Sequence, residues 1–218
     1  MTPNPSHPSH PSHPITRRRR SPALLLALLM AAPVALQLGG CSAMQAQNPS
    51  SALKPVNAVA DGADQRVMLK GHDVVAYVTQ GRHALGAPQI SSLYEGVTFR
   101  FASAEHKALF DASPAKYLPQ YGGYCANGLV YGIPWGGDAD TWIMVGGKLY
   151  IFGGAASKAA FLLDVPGNIQ LADRYWADEV KGNNSMVQRT KRLVFRVPHY
   201  KNGEELDRLV RDAAAKKG

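Results

Sequence analysis

The chain has 218 residues, with 24 Lys and Arg against 16 Asp and Glu, a formal charge of +8 and two cysteines. That length suits one domain with tails. The charge is unevenly placed. Four arginines and no acid precede Cys41, ten basic face twelve acidic residues from Gln45 to Val180, and ten face four from Lys181 to Gly218. The excess of positive charge therefore belongs to the two ends and leaves the centre near neutral.

Residues 1–14 contain Pro-Ser-His three times. Such low complexity is not expected to fold, and its histidines are not metal-ligand candidates. The Arg17–Arg20 block is followed by an uncharged apolar run from Ala23 to Leu38, closing on Leu38-Gly39-Gly40-Cys41. A positive segment, an apolar segment and small residues before a cut describe a secretory signal. The run is shorter than the roughly 20 residues that span a bilayer, and Pro33 interrupts it. The Leu-Gly-Gly-Cys ending resembles the lipobox of bacterial lipoproteins. That resemblance implies removal of residues 1–40 and a diacylglyceryl group on the Cys41 sulfur. It also implies a lipid-anchored chain on the periplasmic side of the envelope. Ser42, in place of the Asp that retains some lipoproteins at the inner membrane, points to the outer membrane. Nucleic acid is excluded as a partner there. Cys125 then has no internal disulfide partner, which is unusual in an oxidising compartment.

Residues 41–66, rich in Ala, Gln, Asn, Pro and Ser, read as a flexible tether. The domain is expected over 67–180. Val74–Val78 reads as a short buried strand and Gly81–Ser92 as a loop. Val97, Phe99 and Phe101 alternate with Thr98 and Arg100, a strand with one buried face, and Glu95-Gly96 turns it back onto Ser91–Tyr94. Ser103 can cap a helix from Ala104 to Asp111 whose buried face is Leu109 and Phe110. Ser113-Pro114 stops it and starts another turn, which carries Tyr117 and Leu118 inward. A Tyr/Gly/Pro loop, Pro119 to Gly123, leads to Tyr124 and Cys125. Thr141–Val145 and Lys148–Phe152 flank Gly146-Gly147 as a hairpin. Helices are expected over Ser157–Leu163 and Asn168–Val180, the second with Ile169, Ala172, Tyr175 or Trp176, and Val180 on one face. Lys181–Ser185 breaks the pattern, and Glu204–Ala215 is a last amphipathic helix within a basic extension, 181–218. That extension reads as a solvated tail or as a contact for anionic lipid or an acidic partner.

Several segments occur in a recognisable order: Lys70-Gly71-His72-Asp73-Val74-Val75-Ala76-Tyr77; Tyr94 to His106; Pro114 to Ala126; Gly147-Lys148-Leu149-Tyr150; and Ala172-Asp173-Arg174-Tyr175-Trp176. Together they resemble the exported branch of the YHS-domain family over about residues 67–180. The resemblance implies a small α+β domain with antiparallel hairpins and short helices, here with a C-terminal helical extension. It also implies an association with heavy-metal handling, copper especially. The cysteines of the thiol-rich relatives are replaced here by Ala76, Ala102 and His106. Some exported relatives carry selenocysteine where Cys125 stands, which implies that the chalcogen's reactivity or metal affinity is used.

Cys125 and His106 are thus the first metal-ligand candidates, with His72 and Asp73 next; Tyr124 or Met144 are alternatives for a third ligand. His106 lies in a helix's first turn, where the dipole favours a neutral imidazole. Imidazole with thiolate suits copper or zinc. The competing readings are a small buried hydrophobe for Cys125, a surface or capping residue for His106, and a turn cap for Asp73. Three functions follow: a soft-metal module for transport, buffering or delivery; a thiol redox protein with Cys125 as nucleophile; or a non-catalytic module binding an envelope protein partner.

Overall fold

Asp73, Ser103, Asp164, Asn184 and Asn202 each accept a backbone N–H at the start of a helix, and these polar caps punctuate the chain. The computed structural model describes residues 56–216. They form an α+β fold with eight helices, one sheet of four strands and one of two. The expected signal segment, Cys41 and the chain up to residue 55 lie outside the described residues.

The larger sheet holds β1 (Ala58–Asp61), β2 (Asp64–Met68), β3 (Ala87–Tyr94) and β4 (Val97–Phe101), in the order β1-β2-β4-β3. Neighbours are antiparallel except β2 and β4, which run parallel with Val67 opposite Thr98. The Glu95-Gly96 turn is as expected, both residues having positive φ, the conformation of a two-residue hairpin turn. Arg100 departs from simple alternation. It is buried, and its guanidinium pairs with Asp61 and Asp64 at the β1–β2 turn.

Two expectations around this sheet are corrected. The tether does not reach residue 66, because 58–61 and 64–68 are strands. Val56 and Ala58 are buried in the core, and Asn57 Nδ2 donates to the carbonyls of Gly123 and Gly137 at 2.9 and 3.2 Å. The expected loop over Gly81–Ser92 gives way to β3 from Ala87. Its Pro88 is tolerated because β3 is an edge strand with an irregular register between Ala87 and Ser91.

Val74–Val78 is not a strand but the body of helix α1 (Val74–Gln80). Asp73 caps it, and Gly81 ends it with φ of 61°. Val74 to Tyr77 are all buried, so the helix shows no polar stripe, and a short apolar run cannot reveal its period. α2 (Ala104–Ala112) is capped by Ser103 as expected, but Leu109 is exposed. The inward face is His106 and Phe110, one helical turn apart. Phe110 packs among Phe99, Phe101 and Tyr94. α3 (Pro114–Tyr117) follows, with Tyr117 buried.

The second half packs a second core on the hairpin β5 (Asp138–Val145) and β6 (Lys148–Phe152). Gly146 and Gly147 both have positive φ, which the tight turn requires. Around it lie α4 (Ala126–Leu129), α5 (Ala155–Phe161) and α6 (Val165–Tyr175), the last continuing as a π turn over Trp176–Val180. Ala172, Tyr175 and Val180 are buried, as the periodicity predicts.

The C-terminal extension is docked rather than trailing. α7 (Ser185–Val194) was not foreseen, whereas α8 (Gly203–Ala215) was and carries an Asn202/Glu205 capping box. Gln188 Nε2 donates to Gly132 O and to Glu179, Arg189 Nε donates to Pro134 O, and Arg192 pairs with Glu179. Val197 is buried in the second core, and His199 Nε2 donates to Val130 O.

Burial alone would push the Glu179 carboxyl up, but hydrogen bonds from Gln188 and Lys191 and the charges of Arg192 and Lys191 prevail and hold it below the usual carboxylate value. A depressed folded pKa contributes stability that is present above the unfolded value and lost as pH falls through the folded one. The protection of the α7 amides against hydrogen exchange, taken relative to the intrinsic rate at each pH, is therefore expected to be high near neutral pH and to fall as pH drops below the ordinary carboxylate range. Glu179→Gln should show the lower protection already at neutral pH.

Candidate functional site

Asp73 is the most connected of the sequence-predicted residues. Its side chain is fully buried. Oδ1 accepts from the Val75 and Ala76 amides at 2.9 and 3.4 Å, capping α1. Oδ2 accepts from the Ala102 amide at 2.8 Å and from His106 Nδ1 at 2.6 Å. One carboxylate thereby joins the start of α1, the end of β4 and the first turn of α2. Each hydrogen bond to the Asp73 side chain comes from a donor, so each carboxyl oxygen accepts two.

His106 is only 6% exposed. Its Nδ1 proton goes to Asp73, and its Nε2 lies 3.1 Å from Gln80 Nε2, at the C-terminal end of α1. With the amide donating to Nε2, both ring nitrogens are engaged within the fold. Its backbone N–H is held by Ser103 Oγ at 3.2 Å. His106 and Asp73, both expected as metal-ligand candidates, meet each other, and their arrangement reads as a structural clasp.

His72 faces elsewhere. Its Nδ1 lies 3.0 Å from Leu69 O, so Nδ1–H is spent on the backbone and Nε2 is left as the outward nitrogen. This is how metal-binding imidazoles are commonly oriented, with the second nitrogen donating to a carbonyl. The ring centroid of His83 is 6.1 Å away, at an interplanar angle of 56°. Sequence reasoning missed His83, since no helical or strand spacing links it to His72. The link is an isolated β-bridge between His72 and Leu85, which folds the 82–86 segment back beside it.

Cys125 sits in the second core and is 3% exposed. Its amide donates to Trp135 O at 2.9 Å, it bridges to Ile151 of β6, and Gly153 packs close to its Sγ. Tyr124 is buried beside it and donates to Val56 O at 3.0 Å, while Met144 is partly buried against the first core. Among the described residues no group of three or more His, Cys, Asp and Glu is placed to hold a metal ion. Cys125 therefore does not join His106 and Asp73 in one ligand set, and the set expected from the sequence does not fit an ion as a unit.

The loop before Cys125 is held in an unusual form. Tyr121 has φ of 56°, a left-handed conformation that a bulky residue adopts only when its surroundings enforce it. Its hydroxyl donates to Asp173 at 2.8 Å, and its ring packs on Tyr150 and Trp176. These contacts fix Gln120–Gly123 and hence the position of Cys125.

Among the described residues no helix is long and apolar enough to cross a membrane. No protein-family model matches the chain, and neither a curated protein nor a solved structure does.

The clasp has a measurable consequence. Asp73→Asn keeps the shape but turns an NH2 group toward donors, either the Val75 and Ala76 amides or Ala102 N–H and His106. Leaving such buried donors unsatisfied costs about 1–3 kcal/mol each. Urea unfolding of Asp73→Asn should show a loss of at least about 2 kcal/mol, whereas exposed Leu109→Ala on the neighbouring helix should lose well under half of that.

Proposed function

We propose that this chain is an envelope-anchored lipoprotein, tethered through Cys41, whose domain is a non-catalytic module that binds a soft or borderline metal ion, copper first and zinc second. The ion is cargo, taken for transport, buffering or delivery. The motif order that resembles the exported YHS-domain branch supports the class, and the lipobox-like ending at Cys41 supports the location.

The observation that carries the metal reading is the His72–His83 pair. One imidazole is preoriented by Leu69 O with Nε2 outward, and a second lies within 6.1 Å between centroids. Two imidazoles suit copper or zinc better than hard cations. They also leave positions open for solvent or a partner's ligand, which suits an ion passed on rather than locked in. Asp73 and His106 hold the backbone beside His72 from within the fold, and neither they nor Cys125 complete the site. A thiol redox role has less behind it, because a nucleophilic Cys needs access and Cys125 is buried among apolar neighbours.

Titration of the full chain with copper under a competing chelator is expected to give about one ion per chain at this pair. The affinity should fall roughly tenfold or more in His72→Ala and His83→Ala, as for loss of a ligand or its orientation, and stay unchanged in Cys125→Ala. Unchanged binding in both His variants would sink the site. Metabolic fatty-acid labelling that is absent from the parent chain, or that persists in Cys41→Ser, would separately sink the anchor.

A further inference from the structure

The orientation of α7 is the reverse of what a surface helix normally shows. Ser185, Gln188, Arg189 and Arg192 recur at helical spacing on the side turned to the domain. Their contacts are polar: Gln188 with Gly132 O and Glu179, Arg189 with Pro134 O, and Arg192 with Glu179. The opposite face carries Met186, Val187, Thr190, Leu193 and Val194, and Phe195 continues it past the last turn. Val187, Val194 and Phe195 are 67%, 67% and 69% exposed. An amphipathic helix normally turns its apolar stripe to the core. Here hydrogen bonds and ion pairs hold the polar stripe inward and leave a contiguous apolar surface unpartnered, which marks an interaction site.

We infer that this outward face of α7 docks on the anionic surface of the bilayer to which the chain is tethered. Two features favour lipid over a protein groove. The first is charge. The segment from Lys181 to Gly218 holds ten basic and four acidic residues, and exposed Arg196 lies next to α7, while Lys191 on α7 is paired with Glu179. Apolar side chains flanked by cations are the pattern of helices that lie in the headgroup region, and each nearby cation adds to attraction by anionic lipid. The second is reach. Only Ser42 to Pro55 separate Cys41 from the start of the described domain, a stretch that spans at most about 50 Å when fully extended. A lipid on Cys41 therefore keeps the domain close to the membrane, where a weak second contact is strengthened by high effective concentration. The choice of lipid as occupant rests on the anchored reading above, but docking itself is testable without the anchor.

The test uses the chain from residue 41 onward with Cys41→Ser, so that no acyl group contributes, and measures co-sedimentation with vesicles. Vesicles of phosphatidylethanolamine with phosphatidylglycerol are compared with phosphatidylcholine alone. Binding to the anionic vesicles is expected, weakening at high salt. It should drop roughly tenfold or more in Val187→Asp/Val194→Asp, whose positions are exposed, with thermal unfolding unchanged to show that the fold is intact. Equal binding by the variant, or none by the parent protein, would overturn the proposal. So would a parent dimer in size-exclusion chromatography that the variant dissociates, because the face would then be covered by a second copy. None of these outcomes bears on whether Cys41 is lipidated.

Discussion

The carboxylate of Asp73 is the constraint on which the first half of the domain depends. It satisfies three backbone amides and one imidazole from three separate elements, in an environment without solvent. A buried polar group is costly unless it is hydrogen-bonded, and here each oxygen accepts two donors. The energetic consequence is directional. The parts tolerate each other only in the arrangement that brings all four donors to one side chain, so the clasp sets where α1 and α2 lie against the sheet. His72 precedes Asp73 in the chain, and fixing Asp73 fixes the backbone from which His72 reaches outward. The proposed surface site and the clasp that stabilises the core are thus neighbours in the chain.

Much of the framework is legible in local sequence. Hairpins announced by Glu95-Gly96 and Gly146-Gly147 formed because few sequences other than those rich in Gly tolerate two successive positive φ values. Ser103 and the face of α6 were legible for equally local reasons. What was hidden was decided at long range. α1 hid because its neighbours bury it on every side, which erases the period that would have revealed it. β1 hid because its four residues, Ala-Val-Ala-Asp, are too few to show a period, and its place is fixed by Asn57 reaching the Gly123 and Gly137 carbonyls. α7 hid because its polar residues are the ones turned inward.

The candidate residues divide in the same way. Asp73 and His106 were named from the sequence and do meet, but the meeting exhausts their hydrogen-bonding capacity inside the fold. Cys125 was named for its chemistry, and its position in the second core is that of a small apolar side chain held by the strained loop at Tyr121. His83 was not named at all, because only the bridge beside Leu85 brings it to His72. Functional chemistry on a rigid support is the common pattern, and here the support was easier to read than the surface it presents.

At the proposed site, copper would be held by the His72 and His83 imidazoles while Cys125 stays in the core. The most direct measurement is the combined absorption and electron paramagnetic resonance spectrum of the copper(II)-loaded protein. Nitrogen hyperfine structure from two imidazoles, without a thiolate-to-copper charge-transfer band, is the predicted result. An intense charge-transfer band that disappears in Cys125→Ala would contradict it.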